Sequence, residues 1–116
     1  MKLDLIAREL GLTQLTALDA TADAEVTGGY ASDLLSDVLA HAPAGGVLVT
    51  LQVHLNVIAV ASHAEMAAVV FAGGRRPDQE VVDKAAAEGL ALFTAPQGTF
   101  DVVGRLYGLG LKGTDA

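Results

Sequence analysis

Short apolar runs alternate along the chain with polar breaks that carry glycine or proline, and the spacing of the apolar positions separates helices from strands. Leu3, Ile6, Ala7 and Leu10 fall at i, i+3, i+4 and i+7, which predicts an amphipathic helix over 2–10 closed by Gly11. A short strand over 15–18, a polar loop over 19–23 and a brief extended stretch over 25–27 lead to Gly28 and Gly29. From Ser32, a residue suited to the N-cap, Leu34, Leu35, Val38, Leu39 and Ala42 form the apolar face of a second helix. Asp33 falls in its first turn and His41 near its end, each with the sign the helix dipole favours.

After the break at 43–46, the segment VLVTLQVHLN joins a strand over 47–51 directly to the next periodic run, with Gln52, His54 and Asn56 at the junction. Residues 55–64 fit helix or strand by pattern, and their length and alanine content favour a short helix. A buried strand over 67–71 ends at Gly73 and Gly74. Pro77 opens a helix with Asp78 and Glu80 at its positive end and Val81, Val82, Ala85 and Ala86 on its buried face. A strand over 90–94 follows, then a last helix marked by Phe100, Val103, Leu106 and Tyr107, and a GLKGTDA tail expected to fray.

The order from the second helix onward is α-β-α-β-α-β-α. It predicts an α/β fold, a single three-layer domain over 1–116 with a mainly parallel sheet flanked by helices. At 116 residues there is one core and not two, and with 52% hydrophobic but 4% aromatic residues it is built from Val, Leu, Ile and Ala.

Charge and cysteine content remove several classes of function. Seven basic against fourteen acidic residues give a net charge of -7, so nucleic acid and anionic membranes are not expected partners. The absence of cysteine excludes disulfides, thiolate metal sites and a cysteine nucleophile, and fits a cytoplasmic location. No signal sequence is read in MKLDLIAREL, and the apolar zone over 57–72 is interrupted by Ser62, His63 and Glu65, so no membrane span is expected. No histidine pair has metal-binding spacing, and no metal or cofactor is expected.

In an open parallel sheet, ligands bind beyond the carboxyl ends of the strands. Three junctions are assigned to that edge: 27–32, 52–56 and 72–76. Their ligand-binding candidates are Thr27, Gly28, Gly29, Ser32, Gln52, His54, Asn56, Gly73, Gly74 and Arg75. Glycines ahead of a helix let backbone N–H groups face an anion, and Arg75 with Arg76 is the one adjacent basic pair. The same glycines also serve as turn residues, and His54 and Asn56 also serve as helix caps. No catalytic residue is assigned: Ser32 lies outside a nucleophile elbow, and no lysine between Lys2 and Lys84 completes a P-loop. Asp33 and Asp37 are expected on a solvated helix face.

The segments VTGGYASDLLSDVLA, LVTLQVHLNVIAVAS, AVVFAGG and GLALFTAPQGTFDVVGRLYGL resemble the DRTGG domain over about residues 25–109, outside the N-terminal helix. The TLQxHxN segment resembles a free-standing variant subgroup related to HPr kinase N-terminal-like domains. Val53 and His54 stand where the family has its Asp-Arg pair, and Ala72, Gly73 and Gly74 stand for its Thr-Gly-Gly. DRTGG domains accompany phosphotransacetylases and nucleotide-regulated pyrophosphatases. The resemblance therefore implies a non-catalytic regulatory module, a homodimer that senses a small anionic metabolite or nucleotide. The alternatives are a small enzyme using His54 as acid or base, and an adaptor subunit of a larger enzyme.

Overall fold

The computed structural model describes residues 1–17 and 23–113. Its elements are α1 (Leu3–Leu10), β1 (Thr13–Gln14), β2 (Gly29–Ala31), α2 (Leu35–His41), β3 (Val47–Thr50), α3 (Asn56–His63), β4 (Ala68–Phe71), α4 (Gln79–Ala87), β5 (Ala91–Thr94) and α5 (Thr99–Gly108). One sheet orders them β1-β5-β4-β3-β2, with β2 to β5 parallel and β1 antiparallel on the far edge. This is the expected α/β architecture, helices on both faces included.

Every residue of β3, β4 and β5 is buried, which is why these segments read as unbroken apolar runs and not as alternating ones. Period-two geometry divides them between two cores. Val47, Val49, Val70 and Phe93 pack with α1 and α5, and Leu48, Val69, Phe71 and Leu92 pack with α2, α3 and α4. Strands β2 to β5 are laid down in one direction across the sheet, so a single crossover hand places all three linking helices on one face. The ambiguous segment after β3 is a helix, burying Val57, Ile58 and Ala61.

Five expectations are corrected. The strand expected over 15–18 lies at Thr13–Gln14, and its pairing continues as Leu15 N–H donates to Leu92 O and Leu92 N–H donates to the buried Thr16 hydroxyl. Leu18 and the loop over 19–22 lie outside the described residues. The first parallel strand runs through the second glycine as Gly29–Ala31, while Glu25 makes a separate bridge to Lys2 and pairs with the N-terminal ammonium at 2.8 Å. Helix α2 begins at Leu35, putting Asp37 and not Asp33 in its first turn, and only Val38 of its expected apolar face is fully buried. In α5 the sheet takes Val102 and Leu106, leaving Phe100, Val103 and Tyr107 exposed. Finally, the tail does not fray where it is described: Leu111 is buried, and Lys112 O accepts the N–H of Gly29 at 2.9 Å. Residues 114–116 lie outside the described residues.

Candidate functional site

Parallel pairing of β2 with β3 sets Gly29 against Val47 and Ala31 against Val49, so the residues just beyond both strands meet. Ser32 N–H donates to Val49 O, extending the ladder by one step. Asp33 then turns its carboxylate across the end of β3, where Oδ1 accepts from Thr50 Oγ1 at 3.0 Å and from Leu51 N–H at 2.7 Å. Gln52 closes the junction from the other side, its Nε2 donating to Asp33 O at 3.2 Å. The Ser32 hydroxyl accepts the N–H of Leu34 at 3.1 Å, a local turn that sets the entry to α2.

His54 stands exposed beyond this brace, and its Nδ1 accepts the N–H of Asn56 at 3.1 Å. A ring nitrogen that accepts carries no proton, so in the neutral tautomer the proton sits on Nε2. The capping reading of His54 is therefore realised, and it leaves Nε2 available to a ligand. Asn56 opens α3 with an exposed side chain.

The third junction follows β4. Gly73 and Gly74 both have φ of 68°, a region that disfavours side chains, but their N–H groups donate to Gln97 O and Ala95 O at 2.7 Å each. Thr94 Oγ1 donates to Arg75 O at 2.7 Å. These bonds close the gap that opens where β4 sends α4 to one face and β5 sends α5 to the other. The diglycine is thus a clasp between two loops, and its amides are not turned toward an anion.

What the clasp does is hold Arg75 over a groove of about 370 Å³, lined by Gln52, His54, Leu55, Arg75, Asp78 and Glu80 with apolar Leu51, Val53 and Val81. A second recess of about 220 Å³ adjoins it between Asp33, Leu51, Gln52 and Arg75. The guanidinium of Arg75 makes no ion pair with the described residues, and the carboxylate of Asp78 caps nothing although it precedes α4. Cation, carboxylates and imidazole donor thus face the groove with their hydrogen-bonding capacity unspent.

Thr27, Gly28 and Gly29 are not part of this rim. They lie at the amino end of β2, where Thr27 Oγ1 donates to Ala44 O at 2.8 Å, Gly28 O accepts Val47 N–H, and Gly29 N–H is taken by Lys112 O. Gly28 is required small, because a Cβ there would stand 3.0 Å from Lys112 O. The expectation that all three junctions share one edge fails for this one, because the strand begins at the diglycine instead of ending before it. Its true carboxyl end supplies Ser32 and Asp33.

Asp33, Asp78 and Glu80 are the site residues that sequence reasoning set aside as helix-end acids. For Asp33 a signal existed: a polar pair after the strand Gly29–Ala31 must meet the polar residues after Val47–Thr50 once the register is known. Next to the site, Tyr30 Oη donates to Asp37 Oδ2 at 2.8 Å and His41 Nδ1 lies 3.1 Å from Asp37 Oδ1. The hydrogen bond from Tyr30 holds the Asp37 carboxyl below its usual range, and the same bond raises the Tyr30 phenol.

No family model matches the chain. No curated protein matches it either. Among solved structures, the fold is similar to the CBS and DRTGG domains of the regulatory region of a Clostridium perfringens pyrophosphatase, complexed with the activator diadenosine tetraphosphate. The TM-score is 0.73 at 14% identity, over 88% of this chain and 44% of that one, so the chain spans less than half of its neighbour's length. At that identity the likeness concerns the fold, and it bears out a DRTGG-like α/β domain.

Proposed function

We propose that this chain is a non-catalytic regulatory module that binds a small phosphorylated metabolite or nucleotide in the groove between His54 and Arg75. The observation that carries this reading is the groove itself, lined by the Arg75 guanidinium, which forms no ion pair with the described residues, and by the His54 ring, Asp78 and Glu80. Arg75 and His54 suit phosphate oxygens, and carboxylates accept hydroxyl or amino hydrogens. A nucleoside phosphate or a phosphorylated polyol presents both kinds of group, whereas a bare polyanion would be repelled by the acidic side. The pyrophosphatase regulatory region of similar fold, complexed with the activator diadenosine tetraphosphate, supports a regulatory role.

The non-catalytic reading is supported by His54, whose Nδ1 is committed to the backbone N–H of Asn56 and whose ring bonds to no carboxylate among the described residues. A panel of nucleotides, sugar phosphates and inorganic phosphate, followed by thermal unfolding, tests the proposal. A ligand bound only by the native state at a hundredfold its Kd adds about 2.7 kcal/mol of stability. A rise in Tm with a phosphorylated compound that Arg75→Ala abolishes is expected, and a panel with no effect on Tm rejects the reading.

A further inference from the structure

We infer, resting on the reading of this groove as a phosphate site, that its ligand is a phosphodiester. One internal anionic group lies at Arg75, with a nucleoside arm in the groove and a smaller hydroxyl-bearing arm in the adjoining recess. The groove of about 370 Å³ and the recess of about 220 Å³ are parts of one site, because Leu51, Gln52 and Arg75 line both. Arg75, the one lysine or arginine of the lining, therefore stands where the two compartments meet. Space opens from it toward Asp33 on one side and toward Asp78 and Glu80 on the other.

Each compartment has carboxylates of its own. Asp33 lines only the recess, Asp78 and Glu80 only the groove, and none of the three pairs with a cation among the described residues. Asp33 uses Oδ1 on Thr50 and Leu51, which leaves Oδ2 without a hydrogen bond to the described residues. Gln52 adds an acceptor in the shared wall: its Nε2 donates to Asp33 O, so Oε1 is the end left over. Against these stand the Arg75 guanidinium and the His54 ring, whose Nδ1 already accepts Asn56 N–H. Acceptors outnumber donors, and the ligand they suit carries one anion among several hydroxyl or amino hydrogens.

That charge pattern separates the phosphate esters. A terminal phosphomonoester carries about -1.5 to -2 at pH 7 and a triphosphate more, and in either compartment the added charge lies toward an unpaired carboxylate. A diester keeps a single negative charge, and its two non-bridging oxygens match the parallel N–H pair of a guanidinium. Its two ester arms leave the phosphorus in different directions, as two compartments meeting at Arg75 require. The arms differ because the compartments do. Val53, Leu55 and Val81 give the groove an apolar wall for a flat ring, whereas Leu51 is the only apolar residue of the recess, which suits a bare sugar or polyol.

Calorimetric titration of the full chain at low ionic strength, where screening is least, tests this with a dinucleoside monophosphate, glycerophosphoglycerol, adenosine monophosphate and adenosine triphosphate. The dinucleoside monophosphate should bind roughly tenfold or more tighter than either mononucleotide, the equivalent of one charged hydrogen bond. Arg75→Ala should abolish its binding. Asp78→Asn combined with Glu80→Gln, at two exposed positions without a hydrogen bond or ion pair from their side chains to the described residues, should narrow the gap by strengthening the triphosphate. A mononucleotide that binds as tightly as the dinucleoside monophosphate, or a gap unchanged in the double variant, overturns the phosphodiester and leaves the groove a phosphate site. So does binding by another phosphorylated compound of the thermal panel when neither diester binds. If nothing in either set binds, or binding survives Arg75→Ala, the phosphate reading of the groove falls as well. Glycerophosphoglycerol separates a lipid headgroup from a nucleotide as the source: weaker binding than the dinucleoside monophosphate supports the nucleoside arm, and equal or tighter binding overturns it.

Discussion

The carboxylate of Asp33 accepts the backbone N–H of Leu51 at 2.7 Å, tying the chain just after the edge strand to the chain just after its neighbour. The same oxygen takes the Thr50 hydroxyl, so one atom holds the β2–α2 and β3–α3 junctions in fixed relation. Gln52, at the mouth of the groove, is positioned by its bond to the carbonyl of the same aspartate.

Asp33→Ala should lower stability by about 1–3 kcal/mol, because it leaves the Thr50 hydroxyl and the Leu51 N–H without their charged acceptor. Asp33→Asn keeps one acceptor oxygen and should lose less. Urea unfolding reads this as a lower midpoint at unchanged slope. A shift within the ±0.5 kcal/mol typical of surface changes would show that the brace carries no stability.

The Tyr30–Asp37 bond predicts how stability depends on pH. The folded Asp37 carboxyl is held below its usual range, so its contribution is fully present above the unfolded value and is lost as pH falls through the folded one. Tyr30 is raised, so its contribution is present below the ordinary phenol range and is lost as pH rises through the folded value. Tyr30→Phe should therefore flatten both the acid and the alkaline limbs of the stability profile. Thermal unfolding between acid and alkaline pH checks this, and an unaltered acid limb would contradict it.

Glycines at two places should respond differently to alanine. A Cβ on Gly46 would stand 2.9 Å from Pro43 Cγ, 3.0 Å from Pro43 O and 3.1 Å from Gly28 O, so backbone must move, and about 1–3 kcal/mol of destabilisation is expected. Gly74 has open space around it but a φ of 68°, so Gly74→Ala should cost about 1–2 kcal/mol through backbone conformation alone. Gly74→Asn, which tolerates that region better, should recover part of the loss. Chemical denaturation of the three variants separates the two causes.

Arg75 and His54 should affect binding more than folding. Arg75→Ala is expected to change unliganded stability by no more than about 0.5 kcal/mol, since its exposed guanidinium pairs with no described residue. His54→Ala should lose about 0.5–1.5 kcal/mol with the bond to Asn56 N–H. Calorimetric titration with a phosphorylated ligand identified by the thermal panel should show both weakening affinity. Unchanged affinity in Arg75→Ala would move the ligand elsewhere.

The amino-acid sequence by itself determined the order of helices and strands from Ser32 onward, the identity of the buried strands and the α/β class. These follow from local information: unbroken Val and Leu runs need two covered faces, and helix periodicity with glycine stops needs no distant partner. It also marked His54 and Arg75, because polar residues directly after buried strands must sit at a sheet edge.

Only the tertiary structure decided which glycine pair belongs to that edge, since a one-strand shift in where β2 begins moves Gly28 and Gly29 to its opposite end. It likewise decided that Asp33 reaches β3, through a pairing register that Gly29 and Val47 share but neither encodes locally. The two apolar sides of α5 are equally plausible core faces in one dimension. Which one meets the sheet is settled by the layer it packs against, and this leaves Phe100 in solvent.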